Sequence, residues 1–150
     1  MNAHHLMTRE LRCCGPDESL SQAAHAMWEG DVGALPVIED GQLVGMITDR
    51  DICMAAYTKG ASLPEVRVRD VMTRDVVTCQ ASDSLRRVES LMKEYKVRRI
   101  PVLDVGNQLV GIVSLNDLAR NAHSTWRGQT ELVATLAAIC EPRQHHVSAA

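Results

Sequence analysis

The chain is nearly devoid of aromatic side chains: they make up 3% of its 150 residues, and there is no phenylalanine. Its core must therefore rest on Val, Leu, Ile, Ala and Met. Basic charge is not in excess either. A formal net charge of −3 gives no broad attraction to nucleic acid or anionic lipid, so any bound anion has to be held by local groups. No apolar run approaches membrane-spanning length, and the opening MNAHHLMTRE lacks the apolar core of a signal peptide. The five cysteines (Cys13, Cys14, Cys53, Cys79 and Cys140) are odd in number and without CxxC spacing, which points to reduced thiols in a cytoplasmic protein. Also missing are a Gly-rich phosphate loop, a nucleophile elbow and an HExxH helix, so no enzymatic activity is expected.

What is present is an internal repeat. At 45% hydrophobic and 23% charged, the composition is that of an ordinary globular protein. Sliding the sequence on itself by 65 positions aligns LMTRE (Leu6 to Glu10) with VMTRD (Val71 to Asp75), Cys14 with Cys79, and Pro36-Val37 with Pro101-Val102. One residue inserted near Asn107 raises the offset to 66. Gln42 to Asp51 then matches Gln108 to Asp117 at five of ten positions, where chance would give roughly one.

Each copy reads as β-α-β-β-α. A short β segment comes first, around Leu11 to Cys14 and Val76 to Cys79. A helix follows, with Asp17 and Ser82 in the N-cap positions. In the second copy its apolar face carries Leu85, Val88, Leu91, Met92 and Tyr95, with Glu89 directed elsewhere. Two strands, ALPVI and QLVGMI or RIPVL and QLVGIV, are joined by the turn-forming EDG and DVGN. A second helix starts at Thr48 or Ser114. The fold class is α+β, with residues 1–60 as the first repeat (motif core 6–58), 61–67 as a linker, 68–122 as the second repeat and 123–150 as a C-terminal helix and tail. In that last helix Leu132, Val133, Leu136 and Ile139 recur at helical spacing, to cover apolar surface on this chain or on a partner. Trp28 and Trp126 are isolated and read as packing or interface residues.

The doubled pattern xLPVxxxGxLVGxxTxxD resembles the CBS domain, named after cystathionine β-synthase. Two copies in tandem resemble a CBS pair, or Bateman module, here of the small stand-alone bacterial kind similar to the hypoxic-response type. The resemblance spans about residues 6–122. It implies two copies packed about a pseudo-two-fold axis, with one cleft per copy. It also implies a regulatory sensor that binds an adenosine-containing ligand: AMP, ADP or ATP, less readily S-adenosylmethionine or NAD. A homodimer, commonly a flat disc, and a regulated protein partner are further implications.

The strand-to-helix corners carry the candidate chemistry. Thr48-x-x-Asp51 and Ser114-x-x-Asp117 each fit a capping box, in which the hydroxyl accepts an orphan N–H and the acid reaches back. The same corner also suits a ligand. The helix N-terminus, with Thr48 or Ser114, favours a phosphate, while Asp51 or Asp117 can accept from vicinal ribose hydroxyls. Arg50 lies in the first corner, where the second has Asn116. As CBS pairs are built, the resemblance brings Arg98 and Arg99 to the Asp51 cleft and sets Gly33 and Ala34 against the Asp117 cleft. The Asp51 cleft is then expected to take more phosphate charge, whereas the Asp117 cleft takes adenosine or AMP or stays empty. Arg98 and Arg99 have a structural alternative, pairing with Glu94 or Asp104.

Two further readings stay open. One is an interaction module whose clefts are vestigial. The other is a metal- or redox-responsive module using His4, His5, His145 and His146 with Cys13, Cys14 and Cys140, although no pair has zinc-finger spacing and no intrinsic metal site is expected.

Overall fold

The computed structural model describes residues 1–122 and 126–142. In the first repeat α2 (Leu20–Gly30) precedes β1 (Ala34–Glu39), β2 (Gln42–Thr48) and α3 (Asp49–Thr58). In the second, β3 (Cys79–Gln80) and α4 (Leu85–Tyr95) precede β4 (Arg99–Leu103), β5 (Leu109–Ser114) and α5 (Leu115–Asn121). A one-turn helix, α1 (Ala3–Leu6), opens the chain, and α6 (Trp126–Cys140) lies beyond the second repeat.

Both hairpins are antiparallel, with a register irregularity at matching points, Val37/Ile38 and Val102/Leu103. Asp40 and Gly41 close the first in two residues, both at positive φ, the twist a tight hairpin needs. The second turn is one residue longer. Asp104 Oδ1 accepts from the N–H groups of Gly106 and Gln108 and holds it. The leading β segments are shorter than the sequence predicts. Cys14 makes a single parallel bridge to Val37, and β3 is only two residues long. The preceding residues are drawn off to the other repeat and cannot stay in their own ladder.

That exchange joins the halves. Met1 O accepts from Leu85 N (3.3 Å), Ala3 N donates to Asp83 O, and Thr8 exchanges backbone bonds with Ile112. In matching fashion Val66 O accepts from Leu20 N (2.9 Å), Val68 N donates to Glu18 O, and Thr73 pairs with Met46. Residues Ala3 and Leu6 are accordingly buried in the second core, and Val66, Val68 and Met72 in the first. The segment 61–67, polar in composition, is thus tied into the first core through Val66. Gly45 and Gly111 are small because the exchanged segments cross them. A Cβ on Gly45 would lie 2.6 Å from Met72 Sδ and 2.9 Å from Thr73 O, and one on Gly111 would lie 2.5 Å from Met7 Sδ.

Helix caps sit two residues later than expected. Ser19 and Ser84, not Asp17 and Ser82, accept from the N–H groups of Gln22 and Arg87, because each stands directly before its helix. Asp17 is taken by an ion pair with Arg69 (2.7 Å). Along α4, Val88, Leu91 and Met92 are buried as expected, but Tyr95 is half exposed and Glu89 is buried. The cause is α6, which packs on α4 and α5. It turns Thr135 and Ile139 inward and leaves Val133 and Leu136 exposed.

Burial pushes the Glu89 carboxyl above its ordinary value, and neighbouring Glu131 pushes the same way. The folded state therefore holds that proton more tightly than the unfolded chain does. The group favours folding in acid and loses that contribution as pH rises through its folded pKa. Glu89→Gln is expected to raise the melting temperature at neutral pH, with the gain vanishing once the pH falls below the ordinary glutamate range. A gain that persists unchanged in acid would contradict this.

Among the described residues, no helix is long and apolar enough to cross a membrane.

Candidate functional site

The first corner forms where β2 runs into α3. Leu35, Val37 and Ile47 are fully buried in the hairpin, and Ile52 and Ala55 seat α3 on it, so the position of Thr48 is fixed by packing on both sides. The capping box is complete: Thr48 Oγ1 accepts from Asp51 N (3.1 Å), and Asp51 Oδ2 accepts from Thr48 N (2.9 Å). Asp51 Oδ1 receives no hydrogen bond from the described residues.

The remaining N–H groups of the first turn are also occupied. Asp49 N donates to Gly33 O (3.1 Å), and Arg50 N donates to Asp49 Oδ1 (2.8 Å). The sequence assigned these N–H groups to a phosphate. In the folded chain they are engaged within the protein, which leaves none of them for a phosphate.

The arginines that the sequence assigned to this corner, Arg50, Arg98 and Arg99, are all exposed and all without an ion pair among the described residues. The alternative pairings of Arg98 and Arg99 with Glu94 or Asp104 do not form. Arg99 reaches across from the second repeat: its Nη2 lies 3.5 Å from where a Cβ on Gly33 would be, and Asp49 Oδ2 lies 3.0 Å from the same point. Arg98 is held at its own corner by its carbonyl, which accepts from Leu115 N (2.8 Å). Gly33 and buried Ala34, set opposite Asp117 by the sequence reading, have their hydrogen-bonded neighbours in Asp49 and Thr48. A groove of about 390 Å³ beside this corner runs between α2 and α3 and includes Gly33, Asp49 and Ile52.

The second corner repeats the box but closes on itself. Asp117 Oδ2 accepts from Ser114 N (2.8 Å) and Ser114 Oγ (2.5 Å), and Ser114 Oγ accepts from Asp117 N (3.3 Å). Its Oδ1 is taken by Arg120, one turn along α5. Asp117 is 4% exposed, and Asn116 points no charge at the site. The matching position in the first repeat is Met54, so nothing there can close over Asp51. Sequence reasoning passed over Arg120 and Asp49, although both were visible as differences between copies: Arg120 against Met54, and Asp49 against Leu115.

Cys14 and Cys79 are not poised for redox chemistry, whereas Cys13, Cys53 and Cys140 are exposed. Cys14 and Cys79 occupy equivalent buried positions, and burial pushes their thiols up to about 12 and about 11, leaving negligible thiolate at neutral pH. His4 Nε2 is hydrogen-bonded to Arg9 Nη2 (2.7 Å). Among the described residues no group of three or more His, Cys, Asp or Glu side chains is placed to hold a metal ion. His145 and His146 lie outside the described residues.

Comparison with known proteins follows the same lines. The family model for the CBS domain matches residues 3–57 and 68–124. The CBS domain-containing protein YhcV of Bacillus subtilis is 39% identical over 118 residues, covering 79% of this chain and 83% of YhcV. Hypoxic response protein 1 of Mycobacterium tuberculosis is 35% identical over 142 residues, 93% of this chain and 94% of that protein. Its crystal structure with two coordinated zinc ions superposes with a TM-score of 0.72 over 80% of this chain and 98% of that one. CBSX2 in complex with AMP gives 0.72 at 30% identity, covering 81% and 96% of the two chains. The CBS domain pair of MJ0100 in complex with 5′-methylthioadenosine and S-adenosylmethionine gives 0.73 at 25% identity, covering 81% and 94%. With two complete copies of the motif, each supplying its own capped corner, this chain belongs to the CBS-domain family as a tandem pair.

Proposed function

We propose that this chain is a non-catalytic regulatory module of the cytoplasm that binds an adenosine nucleotide of the AMP, ADP or ATP kind at the Asp51 corner. The observation that carries this reading is the open Oδ1 of Asp51 in a corner where Arg50 lies on the same helical turn and Arg99 reaches in beside Gly33 and Asp49, both without an ion pair among the described residues. A carboxylate suits vicinal ribose hydroxyls, and free guanidiniums suit phosphate oxygens. Thr48 adds an O–H donor, since its oxygen already accepts from Asp51 N. The adenosine ligands of CBSX2 and MJ0100 share a ribose, which supports the class without choosing among its members. Arginines at the corner favour a phosphorylated ligand over S-adenosylmethionine.

The Asp117 corner is read as the weaker or empty site, because both of its carboxylate oxygens are satisfied within the chain. Binding at the first corner would report to a protein partner through the surfaces the clefts adjoin.

A thermal-shift series with adenosine, AMP, ADP, ATP, S-adenosylmethionine, NAD and zinc tests the class, since a ligand that binds only the folded state raises stability by mass action. Phosphorylated adenosines are expected to stabilise more than adenosine. No shift at millimolar nucleotide would overturn the reading in favour of an interaction module with vestigial clefts. A zinc shift lost on replacing His4 and His5 would favour the metal-responsive alternative.

A further inference from the structure

We propose that Asp49 is the built-in counter-charge of Arg99, which a ligand's phosphate has to displace, and that Asp49 thereby sets how strongly the first corner favours phosphorylated ligands. The proposal rests on the ligand reading of the Asp51 corner and concerns a residue at a free position of the TxxD pattern. Gly33 carries the geometry. A Cβ there would have three near neighbours, Asp49 Oδ2 (3.0 Å), Asp49 Cγ (3.4 Å) and Arg99 Nη2 (3.5 Å). The space a side chain would take is therefore where a carboxylate of the first repeat and a guanidinium of the second converge. At Gly45 and Gly111 the same space meets a crossing segment, whereas Gly33 and Asp49 border the groove of about 390 Å³.

The acid is held in place from two sides. Asp49 N donates to Gly33 O (3.1 Å), and Asp49 Oδ1 accepts from Arg50 N (2.8 Å). Its Oδ2 receives no hydrogen bond from the described residues, and it forms no ion pair with Arg99. The two charges face each other across a gap they do not close. The second corner keeps the backbone bond, Leu115 N to Arg98 O (2.8 Å), without this arrangement. Arg98 stands in the place of Gly33, Leu115 in that of Asp49, and Ala34 in that of Arg99. The gap, the acid and the cross-repeat arginine are lost together, at the corner that Arg120 closes. Exposed opposite charges gain little from each other, so a phosphate, which carries more charge and accepts from a guanidinium in bidentate fashion, replaces the carboxylate. Asp49 thus lowers affinity for every phosphorylated ligand and leaves an uncharged nucleoside unaffected.

Calorimetric titration of the full chain with adenosine, AMP, ATP and inorganic pyrophosphate, without added divalent cation, tests this. Asp49→Asn removes the charge and keeps the acceptor for Arg50 N. It is expected to tighten AMP about threefold and ATP and pyrophosphate about tenfold, with adenosine unchanged within about twofold. Asp49→Leu, which installs the residue of the second repeat, should give the same order of gains. In an Arg99→Ala background, where no guanidinium is left to release, the gain from Asp49→Asn should shrink to about twofold or less. Unchanged, weaker or absent binding of AMP, ATP and pyrophosphate in both Asp49 variants would overturn the proposal, as would an equal gain for adenosine or a full gain without Arg99. A gain for pyrophosphate in a chain that binds no adenosine compound would support the proposal and overturn the ligand reading. Nucleotide binding that is blind to Asp49 would do the reverse.

Discussion

Asp51→Ala is expected to weaken adenine-nucleotide binding about 100-fold, whereas Asp117→Ala changes it by less than about threefold. The difference rests on what each carboxylate has left to offer. Asp51 keeps Oδ1 open, and hydrogen bonds to a charged acceptor contribute about 1.5–3 kcal/mol each. Losing the acceptor for a ribose hydroxyl pair therefore removes on the order of 2–3 kcal/mol, which is the 100-fold. Asp117 has both oxygens engaged by Ser114 and Arg120, so a ligand there would have to displace an ion pair that the fold already supplies.

Both substitutions also remove half of a capping box, at about 1 kcal/mol of stability, so affinities are to be compared well below the melting temperature. Asp51→Asn, which keeps the bond from Thr48 N, should lose about tenfold rather than 100-fold. Arg120→Ala, which frees Asp117 Oδ1, should add a second binding event. Equal loss of affinity in Asp51→Ala and Asp117→Ala would sink the asymmetry between the clefts.

The second large effect concerns stability. Gly111→Ala and Gly45→Ala are each expected to destabilise the chain by about 2 kcal/mol, lowering the melting temperature by roughly 4–8 °C. At Gly111 the three nearest atoms to the added methyl all belong to the Met7 side chain. Met7→Ala should therefore recover part of the loss, giving a favourable coupling energy in a double-mutant cycle. At Gly45 the carbonyl of Thr73 stands 2.9 Å away and cannot rotate aside, so Met72→Ala should rescue less. Urea unfolding of the two cycles measures both. Strict additivity at Gly111 would mean that Met7 does not cross it, contradicting the exchange of leading segments.

The same exchange shows where the sequence stops being readable. The corners were legible because a capping box is a local device: Thr48 to Asp51 and Ser114 to Asp117 need only three residues and a strand before them. The hairpins were legible for the same reason, down to the extra residue near Asn107 that lengthens the second turn. The crossing of Met7 and Met72 to the opposite repeats was not, because only tertiary packing decides which of two equivalent cores a short apolar segment enters. Position Glu89 was misjudged on the same ground. Its place on the polar side of α4 follows from periodicity, and its burial follows from α6, whose landing place no local pattern encodes. At the site, Thr48 and Asp51 came from the motif itself, while the closure of Asp117 by Arg120 required asking how the two copies differ rather than how they agree.

Calorimetric titration of the purified chain with AMP and with ATP measures the number of nucleotides bound, and this tests the central claim most directly. The account predicts one nucleotide per chain, bound less tightly as ionic strength rises because phosphate is held by exposed arginines. Two equivalent sites per chain, or no binding at millimolar nucleotide, would contradict it.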